Sequence, residues 1–255
     1  MIDGPAIMAE LEGREAIFYA MDVEDGRHFA WATERADERH RPFSTFKIPN
    51  LLIALETGVA ASVDEVRHWD PERRPARGFW LDGWSGDQTL AEAFRRSTVW
   101  FFRDLALEIG GARYRQMLQV FGYGNAMAPD DDDLFWLAGP LEISVREQAL
   151  FLRSLLRGEL PVHRDTVGAL RTVSLLEEQD GCRLHGKTGS GPAPGAGMDG
   201  SFEGWLVGWV ECADAAPVTY ALFVRGQSYA SIAQFRGTMA RSFLHRAGAW
   251  PGARE

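Results

Sequence analysis

The pattern of hydrophobic and polar residues is strand-like only towards the two ends of the chain. Ala16 to Met21 and His28 to Trp31 have the spacing of short strands, and Glu24-Asp25-Gly26 between them is typical of a hairpin turn. Similar segments return late in the chain, at Arg183 to Thr188, Trp205 to Val210 and Thr219 to Val224. This distribution predicts one antiparallel sheet to which both chain ends contribute.

The middle of the chain, from about residue 44 to about residue 158, has a predominantly helical pattern. The clearest segments are Leu90 to Phe94, Phe101 to Ile109, Tyr114 to Phe121 and Val145 to Leu156, with a closing helix at about Ser231 to Arg246. We therefore expect an α+β fold in one domain over residues 1–255. A central antiparallel sheet flanked by helices (about 1–43 and 165–255) would carry an inserted all-helical lobe (about 44–164).

The first helical segment carries a potential nucleophile and base. Ser44 and Lys47 begin an apolar stretch that continues to Thr57 and stops at Gly58. Pro49 fits only the first turn of a helix, and glycine suits the left-handed position after a helix end, so the helix should begin close to Ser44. Residues i and i+3 are neighbours on a helix, which brings the Lys47 amine near the Ser44 hydroxyl. A plain N-cap role for Ser44 is the alternative.

Composition and charge limit the classes of function. A chain of 255 residues with 45% hydrophobic residues can bury a large core. The formal charge of −9 and the pI near 5.2 argue against nucleic acid and anionic membranes as partners, because both select basic surfaces. The six histidines lack metal-ligand spacing, so no zinc site is expected. The acidic run Asp130 to Asp133 is expected to be a solvated loop without a metal ion.

No membrane-directing segment is recognisable in the sequence. No uncharged run reaches the ~20 apolar residues that a membrane span needs. Met1 to Arg14 lacks a basic segment followed by an apolar core, so a secretory signal is not expected there.

The two cysteines allow two interpretations. Cys182 lies seven residues before Gly189, and Cys212 lies seven residues after Trp205. If the two segments are antiparallel strands, the cysteines could face each other, with a bond under oxidising conditions. They could equally be two small buried side chains without a bond.

Further motifs follow the Ser44 helix in a set order. They are Ser97-Thr98-Val99, Tyr123-Gly124-Asn125, Phe135-Trp136-Leu137, Lys187-Thr188-Gly189 and the segment Gly204 to Glu211. Together with Ser44-Thr45-Phe46-Lys47-Ile48-Pro49-Asn50, these motifs resemble those of the class D β-lactamases, also called oxacillinases, among the penicillin-recognising serine enzymes. The resemblance extends from about residue 15 to about residue 240.

The resemblance implies acyl transfer with Ser44 as the nucleophile. It also implies that Lys47 is carboxylated to N6-carboxylysine and acts as general base, with carbon dioxide or bicarbonate as the source of the carbamate and no other cofactor. Burial would favour this modification by disfavouring the ammonium form of lysine. The indole N–H of Trp136 could hold a carbamate oxygen, and an ordinary core aromatic is the alternative for Trp136.

The second and third motifs receive roles from the same resemblance. Ser97 would relay a proton to the leaving β-lactam nitrogen, Val99 would help to keep the lysine pocket apolar, and Tyr123 would form a wall of the site. A plain N-cap at Ser97 and a simple loop turn at Tyr123-Gly124-Asn125 are the alternatives.

The Lys187-Thr188-Gly189 motif is expected on a strand beside the substrate. Gly189 would let the substrate backbone approach as an added strand. Lys187 would project towards Ser97 and the substrate carboxylate, and Thr188 would contact the substrate.

Two further elements complete the implied site. The backbone N–H groups of Ser44 and Ser190 would form the oxyanion hole, although family members usually carry an aromatic residue at the position of Ser190. Arg236 matches the arginine that binds the substrate carboxylate, and a bidentate fork suits that role; Arg225 is a rival.

The sequence therefore predicts a serine β-lactamase that opens the ring of penicillin-type antibiotics through an acyl-enzyme. A penicillin-sensing receptor domain that stays acylated, a D,D-peptidase and a related fold without turnover are the alternatives. The Gly/Pro-rich residues 189–200 are expected to form a flexible connection that influences substrate range. The resemblance implies a periplasmic or secreted protein, a monomer or a dimer, whose partner is a small-molecule β-lactam.

Overall fold

The computed structural model describes residues 4–76, 78, 80–81 and 83–252. The strands are β1 (Glu15–Asp22), β2 (His28–Trp31), β3 (Val66–Arg67), β4 (Gln88–Thr89), β5 (Leu175–Gln179), β6 (Cys182–Pro192), β7 (Phe202–Cys212) and β8 (Ala215–Gly226). The α-helices are α1 (Gly4–Leu11), α2 (Lys47–Glu56), α3 (Leu90–Arg96), α4 (Val99–Ile109), α5 (Gly111–Val120), α6 (Val145–Leu156), α7 (Arg164–Ser174), α8 (Tyr229–Ala233) and α9 (Phe235–Arg246).

The main sheet has six antiparallel strands in the order β2-β1-β8-β7-β6-β5. β1 pairs with β8 from Glu15↔Arg225 to Asp22↔Val218, so the amino-terminal strand completes a sheet made by the end of the chain. The predicted α+β class and the contribution of both chain ends are confirmed.

Helices cover both faces of this sheet, and each face has its own core. On β7, Trp205 and Val207 point to the face that carries the helical lobe, whereas Leu206 points to the face covered by α1, α8 and α9. Because both faces are buried, the central strands are apolar almost throughout, which explains the weak alternation in the sequence. α7 packs on α2 and α3, so helical packing continues past the predicted boundary at residue 164.

Several elements differ from the sequence prediction. β5, α7 and the small β3–β4 pair were not predicted. The strands are short and have little periodicity of their own, whereas α7 is an amphipathic helix of 11 residues that the sequence analysis missed. The closing helix is two helices, α8 and α9, interrupted at Gln234. The flexible connection is shorter than residues 189–200, because β6 pairs with β7 as far as Pro192↔Phe202. Only residues 193–201 connect the two strands.

The acidic run is a set of ion pairs and not merely a solvated loop. Asp130 pairs with Arg115 at 3.0 Å, and Asp133 is paired with Arg74 at 3.0 Å and with Arg103 at 2.9 Å. Within the described ranges, no group of His, Cys, Asp and Glu side chains is arranged to hold a metal ion. The described part of the chain also contains no helix with the length and apolarity that a bilayer crossing requires.

A disulfide joins the first residue of β6 to the last residue of β7. Cys182 and Cys212 are directly opposite in the antiparallel register, with their Cα atoms 4.1 Å apart, and they are bonded. The predicted proximity is confirmed, and the interpretation as two unlinked side chains is wrong. The bond lies seven register pairs from Gly189↔Trp205, and it therefore fastens the end of the hairpin remote from the Lys187 motif.

We expect the double variant Cys182→Ser/Cys212→Ser to lose ~2–4 kcal/mol of unfolding free energy, because a cross-link across 30 residues restricts the unfolded chain. Its kcat/KM should stay close to that of the parent protein. Denaturant unfolding and kinetics on both proteins measure the two effects. Rapid alkylation of two thiols in the native, non-reduced parent protein would show that the bond is absent.

Candidate active site

Ser44 and Lys47 meet at the start of the first long helix of the helical lobe. Ser44 lies in a 3-10 turn, Phe43–Phe46, and α2 continues directly from Lys47. The Lys47 Nζ atom is 2.9 Å from the Ser44 Oγ atom, as the i, i+3 spacing predicts. The N-cap of the turn is Pro42, so the interpretation of Ser44 as an N-cap is wrong.

The residue before Ser44 has an unusual backbone conformation. Phe43 has φ = +47°, a value that bulky side chains rarely adopt. Its N–H donates to the carbonyl of Trp136 at 3.1 Å, and its ring occupies the space beside Gly191, where any Cβ atom would overlap it. The neighbouring chain therefore holds the turn in a conformation that its own sequence does not favour, and sequence patterns did not reveal this role of Phe43.

The Ser44 turn packs against an open edge of β6. β5 pairs with β6 only as far as His185, so among the described residues the edge from Gly186 to Pro192 has no strand partner on that side. A Cβ atom on Gly189 would lie 2.8 Å from the Pro42 carbonyl oxygen and 3.1 Å from the Ser44 nitrogen. Gly189 thus permits the approach of the Ser44 turn, whereas the sequence analysis assigned this freedom to the substrate backbone.

The amine of Lys47 is buried in apolar surroundings. The side chain is fully buried, and burial first, then the charge of Lys187, hold the pKa of Lys47 far below the ordinary value for lysine. The Nζ atom lies 5.1 Å from the centre of the Phe102 ring. Phe102 follows the predicted pocket residue Val99 by three positions in α4, so helical spacing alone could have identified it.

Trp136 has a buried donor without an acceptor. Its ring is fully buried and stacked on Phe46 with ring centres 5.4 Å apart, one residue before Lys47. No acceptor for its Nε1–H group exists among the residues that the structure describes. A buried polar group without a partner is destabilising, so this indole is a position where an additional acceptor would be favourable.

Ser97 lies beside Lys187. Ser97 ends α3 with φ = +61°, and Thr98 is the N-cap of α4, so the N-cap interpretation of Ser97 is wrong. Lys187 Nζ lies 3.1 Å from Ser97 Oγ and 3.0 Å from the Thr188 carbonyl oxygen. Burial, and then the charge of Arg236, lower the pKa of Lys187 to about 7.

Arg236 is buried, and no carboxylate among the described residues pairs with it. Its side chain is only 8% exposed, and burial lowers its pKa. The guanidinium donates to Ser190 Oγ at 2.6 Å and to the Gly189 carbonyl at 3.3 Å. The rival, Arg225, pairs with the buried Glu203 at 2.6 Å, so its charge is already compensated. Arg236 is therefore the better anion-binding group.

Tyr123 lies behind the site and not in its wall. It is fully buried, its ring contacts Phe46 and Phe151, and its hydroxyl accepts from the side chain of Gln148 at 3.3 Å. The predicted substrate contact of Tyr123 is wrong, because its ring supports the helix that carries Lys47 from within the core.

The assembled groups favour an anionic substrate. Within the described ranges, Lys47, Lys187 and Arg236 form no ion pair with an acidic side chain, although the whole chain has a formal charge of −9. A nucleophile with an adjacent amine and a nearby unpaired guanidinium is the arrangement expected for acyl transfer to a carboxylate-bearing substrate.

Comparison with known proteins agrees with this arrangement. Residues 16–244 match the penicillin binding protein transpeptidase domain. YbxI, a probable β-lactamase of Bacillus subtilis (strain 168), is 32% identical over 202 residues, 79% of this chain and 72% of YbxI. β-Lactamase OXA-20 of Pseudomonas aeruginosa is 35% identical over 217 residues, 85% of this chain and 76% of OXA-20.

A solved structure extends the similarity to the whole fold. The class D β-lactamase FUS-1 (OXA-85) from Fusobacterium nucleatum subsp. polymorphum has a TM-score of 0.85 at 30% identity, covering 97% of this chain and 99% of that chain. The chain belongs to the class D β-lactamases. This class D β-lactamase is a serine enzyme that hydrolyses β-lactams, and the predicted family and activity are confirmed.

The packing of the Ser44 turn on β6 in this β-lactamase can be tested at Gly189. We expect Gly189→Ala to lower kcat/KM at least about tenfold, because the added methyl group displaces the Ser44 turn. Gly197→Ala is the matched control, since a Cβ atom there meets nothing within 4 Å. Steady-state kinetics and melting temperatures of both variants separate the local effect from general unfolding, and equal activity in both would contradict the packing argument.

Proposed function

We propose that this class D β-lactamase opens the β-lactam ring through an acyl-enzyme on Ser44, with a carboxylated Lys47 as general base. The observation that carries the proposal is the 2.9 Å separation of Ser44 Oγ from the fully buried Lys47 Nζ. Burial lowers the pKa of Lys47 and so favours the neutral amine, the form that can accept a proton, over the ammonium of an ordinary surface lysine.

In acylation, the base takes the proton of Ser44 while the Ser44 oxygen attacks the lactam carbonyl carbon. The negative charge on the carbonyl oxygen would be stabilised by the backbone N–H groups of Ser44 and Ser190, which lie where the turn meets β6. The ring C–N bond then breaks. Ser97 delivers its hydroxyl proton to the leaving nitrogen and takes a proton from Lys187, whose Nζ atom lies 3.1 Å away. Hydrolysis of the ester by an activated water returns Ser44 to its free form.

Two properties of the lysine pocket support carboxylation. A neutral amine is the form that reacts with carbon dioxide, and burial favours that form. The Trp136 indole offers a buried donor that lacks an acceptor in the described residues. A carbamate on Lys47 would supply an anionic oxygen as the base for acylation and deacylation.

Substrate binding would depend on the carboxylate that β-lactam antibiotics carry. Arg236 would anchor it with its uncompensated guanidinium, assisted by Thr188 and Lys187 on β6. A periplasmic or secreted location fits the Cys182–Cys212 bond, because disulfides persist in oxidising compartments.

Ser44→Ala should abolish β-lactam hydrolysis and remain folded, because the Ser44 side chain makes no cap and its loss costs at most about 1 kcal/mol. Intact-protein mass spectrometry after mixing with a penicillin should show a transient adduct on the parent protein and none on the variant. An adduct that persists without turnover would instead identify a penicillin-sensing domain. Turnover by the variant would disprove the role of Ser44.

Activity should fall at mildly acidic pH and recover when bicarbonate is added. The sign follows from the pKa of Lys47, which is lowered: the amine stays neutral until the pH falls to that low value, and protonation then prevents carbamate formation. Rates measured across pH with and without bicarbonate test this dependence. A hydrolysis rate that does not change on addition of bicarbonate at any pH would indicate that Lys47 acts as an unmodified amine.

The variant Trp136→Phe keeps an aromatic ring but removes the unpartnered N–H group. We expect it to lose deacylation before acylation and to accumulate the acyl-enzyme, because ester hydrolysis needs a correctly held base. Rapid-quench mass spectrometry measures the accumulated adduct. Normal clearance of the adduct would remove Trp136 from the proposal.

A further inference from the structure

We propose that the Ser190 hydroxyl is a specificity-determining group that accepts a hydrogen bond from Arg236 and donates one to the substrate carboxylate. The proposal rests on the proposed function in one respect, the binding of that carboxylate by Arg236. It assigns a side-chain role to a residue that otherwise contributes only a backbone N–H.

The first support is the electrostatic state of Arg236. Its hydrogen-bond partners are neutral: the Ser190 hydroxyl at 2.6 Å and the Gly189 carbonyl at 3.3 Å. The Nε–H group of Arg236 is buried and has no partner in the described residues. A buried cation with neutral partners and a free donor is strongly favoured to take an anion.

The second support is the direction of the hydrogen bond. Arginine can only donate, so the oxygen of Ser190 is the acceptor and its own O–H proton remains free. No acceptor for that proton is found in the part of the chain that the structure describes, and Ser190 is half-buried on the open edge of β6. Donation from a cation also polarises the hydroxyl and makes it a stronger donor.

Ser190 lies next in sequence to the β6 residue that packs against the Ser44 turn, and its hydroxyl contacts Arg236. The residue follows Lys187, Thr188 and Gly189 on the edge of β6 that packs against the Ser44 turn. A carboxylate held by Arg236 would lie beside the Ser190 hydroxyl, because that hydroxyl is already within 2.6 Å of the guanidinium.

The arrangement also limits the movement of Arg236. Its guanidinium donates to the Ser190 hydroxyl and to the Gly189 carbonyl, and both acceptors belong to β6. Ser190 therefore helps to fix the position of Arg236 beside this strand. A guanidinium that is already oriented loses less conformational entropy when the carboxylate binds.

The test compares a β-lactam that has a free carboxylate with the methyl ester of the same compound. For the free acid, Ser190→Ala should raise KM about five- to twentyfold with a smaller change in kcat, as expected for a lost hydrogen bond to a charged group. Ser190→Thr, which keeps the hydroxyl, should restore KM to within about threefold of the parent value. For the ester, kcat/KM of Ser190→Ala should equal that of the parent protein.

Two further variants make the result specific. Ser201→Ala removes a hydroxyl at the end of the 193–201 connection, away from the contacts of Arg236, and should leave KM unchanged. In an Arg236→Ala background, Ser190→Ala should have a smaller effect than in the parent protein, because the two side chains act together.

An unchanged KM for Ser190→Ala on the free acid would overturn the proposal, and so would an equal loss on acid and ester. If KM is nevertheless raised in Arg236→Ala, the result would support the anchoring of the carboxylate by Arg236 and would reject only the role of Ser190. An unchanged KM for Arg236→Ala would instead reject the anchoring step of the proposed function. The two failures are therefore distinguishable.

Discussion

The close contact between the Ser44 turn and the open edge of β6 is the constraint on which the site depends. It brings together a turn from the helical lobe and a strand from the sheet, and it requires glycine at positions 189 and 191. The strained Phe43 is part of the same contact, because its N–H bonds to the carbonyl of Trp136. Nucleophile, lysine pocket and substrate edge are thus positioned by one interface.

The same interface places two basic side chains in a buried environment. Lys47 and Lys187 are buried, and their pKa values are depressed mainly by burial. Between pH about 7 and 10.5 the unfolded chain binds a proton that the folded Lys187 does not, so this lysine opposes folding most strongly at and below pH 7. The buried lysines lower the free energy of unfolding, and the packing of the surrounding cores compensates for this loss. Such a cost is common in active sites whose chemistry needs shifted pKa values.

Local patterns in the sequence were sufficient for the main elements and for the central pair of the site. The i, i+3 spacing placed Lys47 beside Ser44, and the symmetric spacing of the cysteines placed Cys182 opposite Cys212. Properties that arise only from tertiary packing were not predictable. Tyr123 is buried, and the Ser44 turn packs closely on Gly189. Both features depend on which surfaces meet in the folded chain, and no short-range sequence pattern indicates this.

The short β5 strand has a consequence for the solution behaviour of the protein. Because β5 stops pairing at Leu175↔His185, half of β6 would be an unprotected sheet edge if the Ser44 turn were absent. Such edges can recruit strands from other molecules and start aggregation. The turn that carries Ser44 therefore also covers this edge. Substitutions that loosen the turn would inactivate the enzyme and would also expose the edge of β6 to aggregation. In this fold, the same few residues of the Ser44 turn position the nucleophile and protect the β6 edge from aggregation.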